Sequence, residues 1–67
     1  MHEIRIVLNE TNIVCVTNNY VVQDFFDEFA GYTVHYVLNQ TTHQFLDLDK
    51  TFAQNDVVQG DCLLFGG

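Results

Sequence analysis

The sequence lacks several residue types on which common activities depend. It contains no proline and no serine, and its only fixed positive charges are Arg5 and Lys50, against nine aspartates and glutamates. Nucleic acids and anionic membranes are bound by clustered lysines and arginines. A net charge of −7 therefore argues against both as partners. It favours a protein partner whose docking surface is basic.

Catalytic and metal-binding motifs are missing as well. The sequence has no serine elbow, no glycine-rich phosphate loop, and no Cys-x-x-Cys or His-x-x-x-His spacing, which are the patterns that mark such sites. We therefore expect neither an enzyme nor a bound metal or cofactor. Cys15 and Cys62 lie within apolar runs, which favours two buried, reduced thiols. A disulfide between strands is the alternative.

Length and hydropathy indicate one small folded domain over residues 1–67. The chain is 48% hydrophobic and 13% aromatic, a composition that can build a core even at this size. No apolar run approaches the ~20 residues that cross a bilayer, and the first residues do not resemble a signal peptide. We therefore expect a cytoplasmic protein, as a monomer or weak dimer.

The first elements predicted from the periodicity are two strands that form a hairpin. Residues 3–9 alternate so that the isoleucines and Leu8 share one face, while Arg5 and Val7 point outward. Residues 12–17 are rich in β-branched side chains and follow a short turn. A connection this short implies antiparallel pairing.

An amphipathic helix is predicted over residues 20–30. Capping side chains are available at residues 17–19, and Gly31 is a natural residue to end the helix. The acidic residues of this segment lie on the opposite, solvated face. The apolar face, predicted to belong to the core, consists of Val22, Phe25, Phe26 and Phe29.

Three further strands are predicted after the helix, over residues 32–38, 43–48 and 62–65. Strict alternation in the first of them places His35 and Val37 on the outward face and Val34, Tyr36 and Leu38 on the other. The linking segment is mostly polar, with Phe52 and Val57 as isolated apolar anchors, and a Gly60-Asp61 turn precedes the last strand. One apolar helix face is covered by one sheet face. The expected fold is therefore two-layer α+β, in the order strand, strand, helix, strand, strand, strand.

This order, the length and the ending together resemble the ubiquitin-like β-grasp proteins. The matching residues are 4–9, 37–39, the turn at 57–61, and the terminal Gly66 and Gly67. Within that superfamily the chain is similar to the bacterial sulfur carriers of thiamine and molybdopterin synthesis and to prokaryotic ubiquitin-like modifiers. The resemblance implies a β-grasp fold, in which a mixed sheet covers one helix.

The resemblance also implies a mechanism that acts at the end of the chain. An E1-like adenylating enzyme would use ATP to activate the carboxylate of Gly67, for sulfur transfer as a thiocarboxylate or for conjugation to a target. Conjugating or deconjugating enzymes would be further partners, and the small protein would bind no cofactor. If residues 62–65 form the last strand, Gly66 and Gly67 extend beyond the sheet.

A second hypothesis is a non-covalent β-grasp adaptor or subunit whose glycine ending is incidental, a frayed terminus. A native chain that continues past Gly67 and is cut there is a third. β-Grasp proteins commonly bind partners through the open face of the sheet. The residues predicted to bind a partner here are Arg5, Val7, His35, Val37 and Phe65.

Overall fold

A computed structural model describes residues 2–67 and contains five strands and one helix. The elements are β1 (Glu3–Leu8), β2 (Asn12–Thr17), α1 (Val22–Ala30), β3 (Tyr36–Asn39), β4 (Gln44–Phe45) and β5 (Cys62–Gly66). The strands form one sheet in the order β2-β1-β5-β3-β4. β1 and β5 pair in parallel, and every other neighbouring pair is antiparallel. The predicted α+β class, with a mixed sheet and a single helix, is confirmed.

The β1–β2 hairpin is confirmed over almost its predicted length. Its turn contains two residues with positive φ, Asn9 at 48° and Glu10 at 69°. Positive φ at both central positions is the mark of the tight turns that suit the twist of a hairpin. The Asn9 side chain also accepts a hydrogen bond from the backbone N–H of Phe65 at 3.1 Å. The turn therefore binds the hairpin to β5.

The helix ends as predicted but begins later. Gly31 adopts φ 76°, and its N–H donates to the carbonyl of Asp27. Side-chain capping at residues 17–19 was a wrong prediction, because the residue at the N-cap is Val21, which makes no side-chain cap. The first helical N–H groups donate instead to backbone carbonyls of the 48–50 segment, each at 3.0 Å. A distant part of the chain thus satisfies donors that a cap normally satisfies.

The core lies between the helix and one face of the sheet. Val22 and Phe26 are fully buried, as is the predicted anchor Phe52, and the other predicted anchor, Val57, is buried. Phe25 is half-buried. The prediction that Phe29 belongs to the core was wrong, since 42% of it is exposed. It lies in the last turn of a nine-residue helix, at the margin of the two-layer packing.

β3 is shorter than predicted, and its side chains point to the opposite faces of the sheet from those predicted. Val34 lies outside the strand, where its N–H donates to Asp27 Oδ1 at 3.0 Å and its carbonyl accepts a bond from Gln23 Nε2 at 2.8 Å. These bonds hold residues 34–35 in irregular backbone, which shifts the alternation by one residue. Val37 is therefore fully buried and Tyr36 exposed. The predictions that Val37 faces outward, and that Tyr36 shares a face with Val34, were wrong.

The 40–61 connection carries little regular structure but is firmly attached to the sheet. β4 spans two residues rather than the predicted six. Asn39 and Asp61 are both buried, and Asn39 Nδ2 donates to Asp61 Oδ2 at 2.9 Å. The same carboxylate oxygen accepts the N–H of Val58 at 3.1 Å, so Asp61 closes the turn before β5. No helix within residues 2–67 is long and apolar enough to cross a membrane.

Candidate functional site on the open sheet face

The candidate site is the face of the sheet that points away from the helix, called here the open face. Directly opposed residues of neighbouring strands project on the same side. Val7 is opposite both Ile13 and Cys62. Leu38 is opposite both Leu64 and Phe45. With the alternate residues of the same strands, the side chains of the open face are Glu3, Arg5, Val7, Ile13, Cys15, Thr17, Tyr36, Leu38, Phe45, Cys62 and Leu64.

Most of the open face is apolar and reaches from one edge of the sheet to the other. Ile13, on the edge strand β2, is 65% exposed, and Phe45, on the opposite edge strand β4, is 70% exposed. Between them, the half-buried Val7 and Leu64 do not pack against the core cluster. Five strands thus carry a continuous apolar stripe that the helix does not cover.

Aromatic side chains shape the β3–β4 end of this stripe. The rings of Tyr36 and Phe45 meet edge to face, with centroids 6.3 Å apart and an angle of 80° between their planes. Both side chains are exposed. Aromatic residues at a surface offer a large contact area at low cost in side-chain entropy, and they are enriched in protein interfaces. This end of the open face has the composition of a contact surface.

The polar groups of the open face lie along the β1–β2 hairpin. Arg5 is opposite Cys15, and Glu3 begins the same strand. Backbone bonds hold Arg5 in place: its N–H donates to Gln59 Oε1 at 2.6 Å, and its carbonyl accepts the N–H of Gly60 at 2.8 Å. Within residues 2–67 its guanidinium makes no salt bridge. The charged end of Arg5 is therefore available to a partner.

Only two of the predicted partner-binding residues lie together on this face. Arg5 and Val7 do, two residues apart on β1. Val37 is buried and lies opposite Phe65, on the helix side of the sheet. Phe65 packs against Phe26 with ring centroids 4.9 Å apart, so it belongs to the margin of the core. His35 is exposed but precedes β3.

Sequence reasoning missed the larger part of the apolar stripe, namely Ile13, Tyr36, Leu38, Phe45, Cys62 and Leu64. One signal was available, because the run 62–65 is apolar at every position. A strand of this kind is typical of a sheet covered on both faces, whereas a single helix covers only one. The prediction that Cys15 is buried was also wrong: it is exposed, and both cysteines are free thiols.

The prediction that both terminal glycines extend beyond the sheet was wrong. Gly66 is the last residue of β5 and pairs with Tyr36. Its carbonyl accepts the N–H of His35 at 2.8 Å. Gly67 alone follows the strand and is exposed. The end of the chain is therefore held against the sheet.

The structure shows no pocket in the part of the chain that it describes. Nor do residues 2–67 contain a cluster of three or more histidine, cysteine, aspartate or glutamate side chains able to hold a metal ion. In comparisons with known proteins, no protein-family model and no curated protein matches the chain.

Proposed function

We propose that this chain is a small ubiquitin-like β-grasp protein that acts by binding another protein through its open face. The observation that carries the proposal is the uncovered apolar stripe from Ile13 to Phe45. Large contiguous apolar patches are rare on soluble monomers, and they mark interaction sites. The element order, with the parallel β1–β5 pair beside the helix, supports the β-grasp architecture.

The charge of the chain indicates the kind of surface that its partner would present. The net charge is −7; the exposed Glu3 begins β1, and the exposed Glu10 lies in the turn after that strand. A complementary surface would present an apolar centre with lysines and arginines at its rim. Such complementarity speeds association and selects the correct orientation. Arg5, as a cation on the open face, would meet an acidic or carbonyl group of the partner.

A pair of matched variants tests the docking. The wild-type chain, immobilised, would retrieve its partner from the source cells, and the affinity of that partner would then be measured by calorimetry. We expect the double variant Ile13→Thr with Phe45→Ser to bind at least tenfold more weakly. Val58→Thr, at a position that is 59% exposed but outside the open face, should bind like the wild type.

Two outcomes would contradict the proposal. One is equal binding by the wild type and the double variant. The other is a loss of binding in Val58→Thr as large as in the double variant. Mapping amide chemical shifts of the labelled chain with and without the partner places the contact independently of any variant.

The second candidate function is the use of Gly67 as an activated carboxylate by an E1-like adenylating enzyme. The observation that favours it is the pair of terminal glycines, since a carboxyl group flanked by glycine is sterically open to an enzyme. The open face would then supply the binding energy that aligns the reacting group. Sulfur carriage and conjugation to a target are both consistent with it.

Intact mass tests the second candidate. The chain is incubated with lysate of its own source and ATP, alongside a variant that lacks Gly67. A gain that corresponds to sulfur replacing oxygen, or conjugates that depend on Gly67, would support activation. No ATP-dependent change in either form would reject it and leave the docking proposal as it stands.

A further inference from the structure

Two tyrosines lie against the last two residues of the chain. Gly66 is directly opposite Tyr36 in the β3–β5 ladder. A Cβ atom built on Gly66 would lie 2.6 Å from the Tyr36 hydroxyl oxygen and 2.8 Å from two of its ring carbons. The Tyr36 ring therefore lies across the Gly66 backbone, where any side chain would have to stand.

The next residue is confined in the same way. A Cβ on Gly67 would lie 2.7 Å from the Thr33 carbonyl oxygen and 2.8 Å from a ring carbon of Tyr32. Neither Gly66 nor Gly67 has a positive φ, unlike Gly31 and Gly60. Glycine therefore fits these two positions because neighbouring atoms lie too close for a side chain, and not because the backbone conformation is unusual.

The contacts together hold the tail in place. A ring that lies over a cross-strand glycine shields its backbone, a device used to rescue glycine in sheets. The hydrogen bond from the His35 N–H to the Gly66 carbonyl, at 2.8 Å, adds a polar attachment. Both attachments come from residues 32–36, which connect the helix to β3 and include the first residue of that strand.

We propose that Tyr32 and Tyr36 form a latch that holds Gly66 and Gly67 against the sheet. An enzyme that acts on Gly67 first has to open the latch, because a residue packed on Tyr32 and Thr33 cannot enter a narrow active site. Tyr36 also belongs to the open face, where its ring contacts Phe45. A partner on that face therefore touches the latch directly. The latch is a property of the isolated chain and does not rest on the docking proposed above.

Backbone dynamics of the intact 15N-labelled chain test the latch. In the wild type we expect Gly66 to be as rigid as the centre of β3, with an order parameter near ~0.85. In Tyr32→Ala with Tyr36→Ala, the values at Gly66 and Gly67 should fall below about 0.6, as in a flexible segment, while Leu38 stays rigid. The matched variant Tyr32→Phe with Tyr36→Phe keeps both rings and should remain rigid.

A measurement on the wild type keeps the proposal testable if the alanine variant does not fold. Nuclear Overhauser effects are expected between the Tyr36 ring and the Gly66 Hα protons, and between the Tyr32 ring and those of Gly67. Absence of these effects, or a flexible Gly66 in the wild type, would overturn the latch. So would an alanine variant whose tail is as rigid as that of the wild type.

Discussion

The two faces of the sheet carry similar side chains and differ in what covers them. Leu63 and Leu64 are neighbours in β5, yet Leu63 is fully buried, whereas Leu64 is half-buried on the open face. Leu63 belongs to the core cluster with Phe26. Leu64 lies opposite Leu38 on the open face and does not pack against the core cluster. Apolar character alone therefore does not tell whether a residue serves folding or binding; the covering element does.

The covering element is assembled from two distant parts of the chain. The helix contributes Val22 and Phe26, and the polar 46–58 segment contributes Phe52 and Val57. Backbone bonds from the start of the helix to the carbonyls of Leu48 and Lys50 join these parts. Residues 2–67 contain no further helix or strand that covers the open face. The contrast between the two faces can be tested by substitutions that differ only in the face they alter.

The largest expected effect comes from Leu63→Ala. Removing a buried leucine side chain costs about 2–5 kcal/mol, through lost burial and the cavity left behind. A domain of this size is stable by roughly 3–10 kcal/mol, so we expect this variant to unfold at a clearly lower urea concentration than the wild type. The same substitution at Leu64 should cost about 1 kcal/mol or less, because less surface is lost from burial.

Urea unfolding followed by circular dichroism gives the free energy of unfolding of both leucine variants. Circular dichroism is used because the sequence contains no tryptophan to report by fluorescence. Equal losses of free energy at the two positions would show that the open face is covered as well as the core face. That result would remove the basis of the docking proposal.

An intermediate effect is expected at the buried polar pair that closes the turn before β5. Asp61→Ala leaves Asn39 Nδ2 and the Val58 N–H without their acceptor. An unsatisfied buried donor costs about 1–3 kcal/mol, and we expect a loss in that range in the free energy of unfolding. Asp49→Ala is the matched control, since that side chain is exposed. A midpoint of thermal unfolding that falls by the same amount in both variants would contradict the structural role given to Asp61.

The smallest effect is expected on the open face itself. Phe45→Ser removes a side chain that is 70% exposed, and surface substitutions usually change stability by within about 0.5 kcal/mol. The variant should bind less of a dye that reports exposed apolar surface, such as anilinonaphthalene sulfonate, while its unfolding midpoint stays close to that of the wild type. A clear drop in the midpoint would instead place Phe45 in the packed part of the molecule.

Much of the fold could be predicted because its signals are local. Alternation in residues 3–9, β-branched side chains in residues 12–17, a short turn between these strands and a glycine after the helix each act within a few residues, and these elements formed nearly where expected. The candidate site could be predicted only in part. Arg5 and Val7 lie in a regular strand, where alternation holds. The face to which Val37 points depends instead on the irregular backbone at residues 34–35, which no local pattern indicates.

The sequence by itself determined the hairpin, the amphipathic helix, the acidic surface and the apolar run of β5, because propensity, periodicity and charge are properties of neighbouring residues. Only the tertiary structure decided which apolar residues are covered. Asp27 and Gln23 bind the backbone of Val34 across the helix–strand connection and so set the phase of β3. Pairing with Tyr36 placed Gly66 in the sheet. Each of these outcomes depends on a contact between different elements, and such contacts form only when the elements pack together.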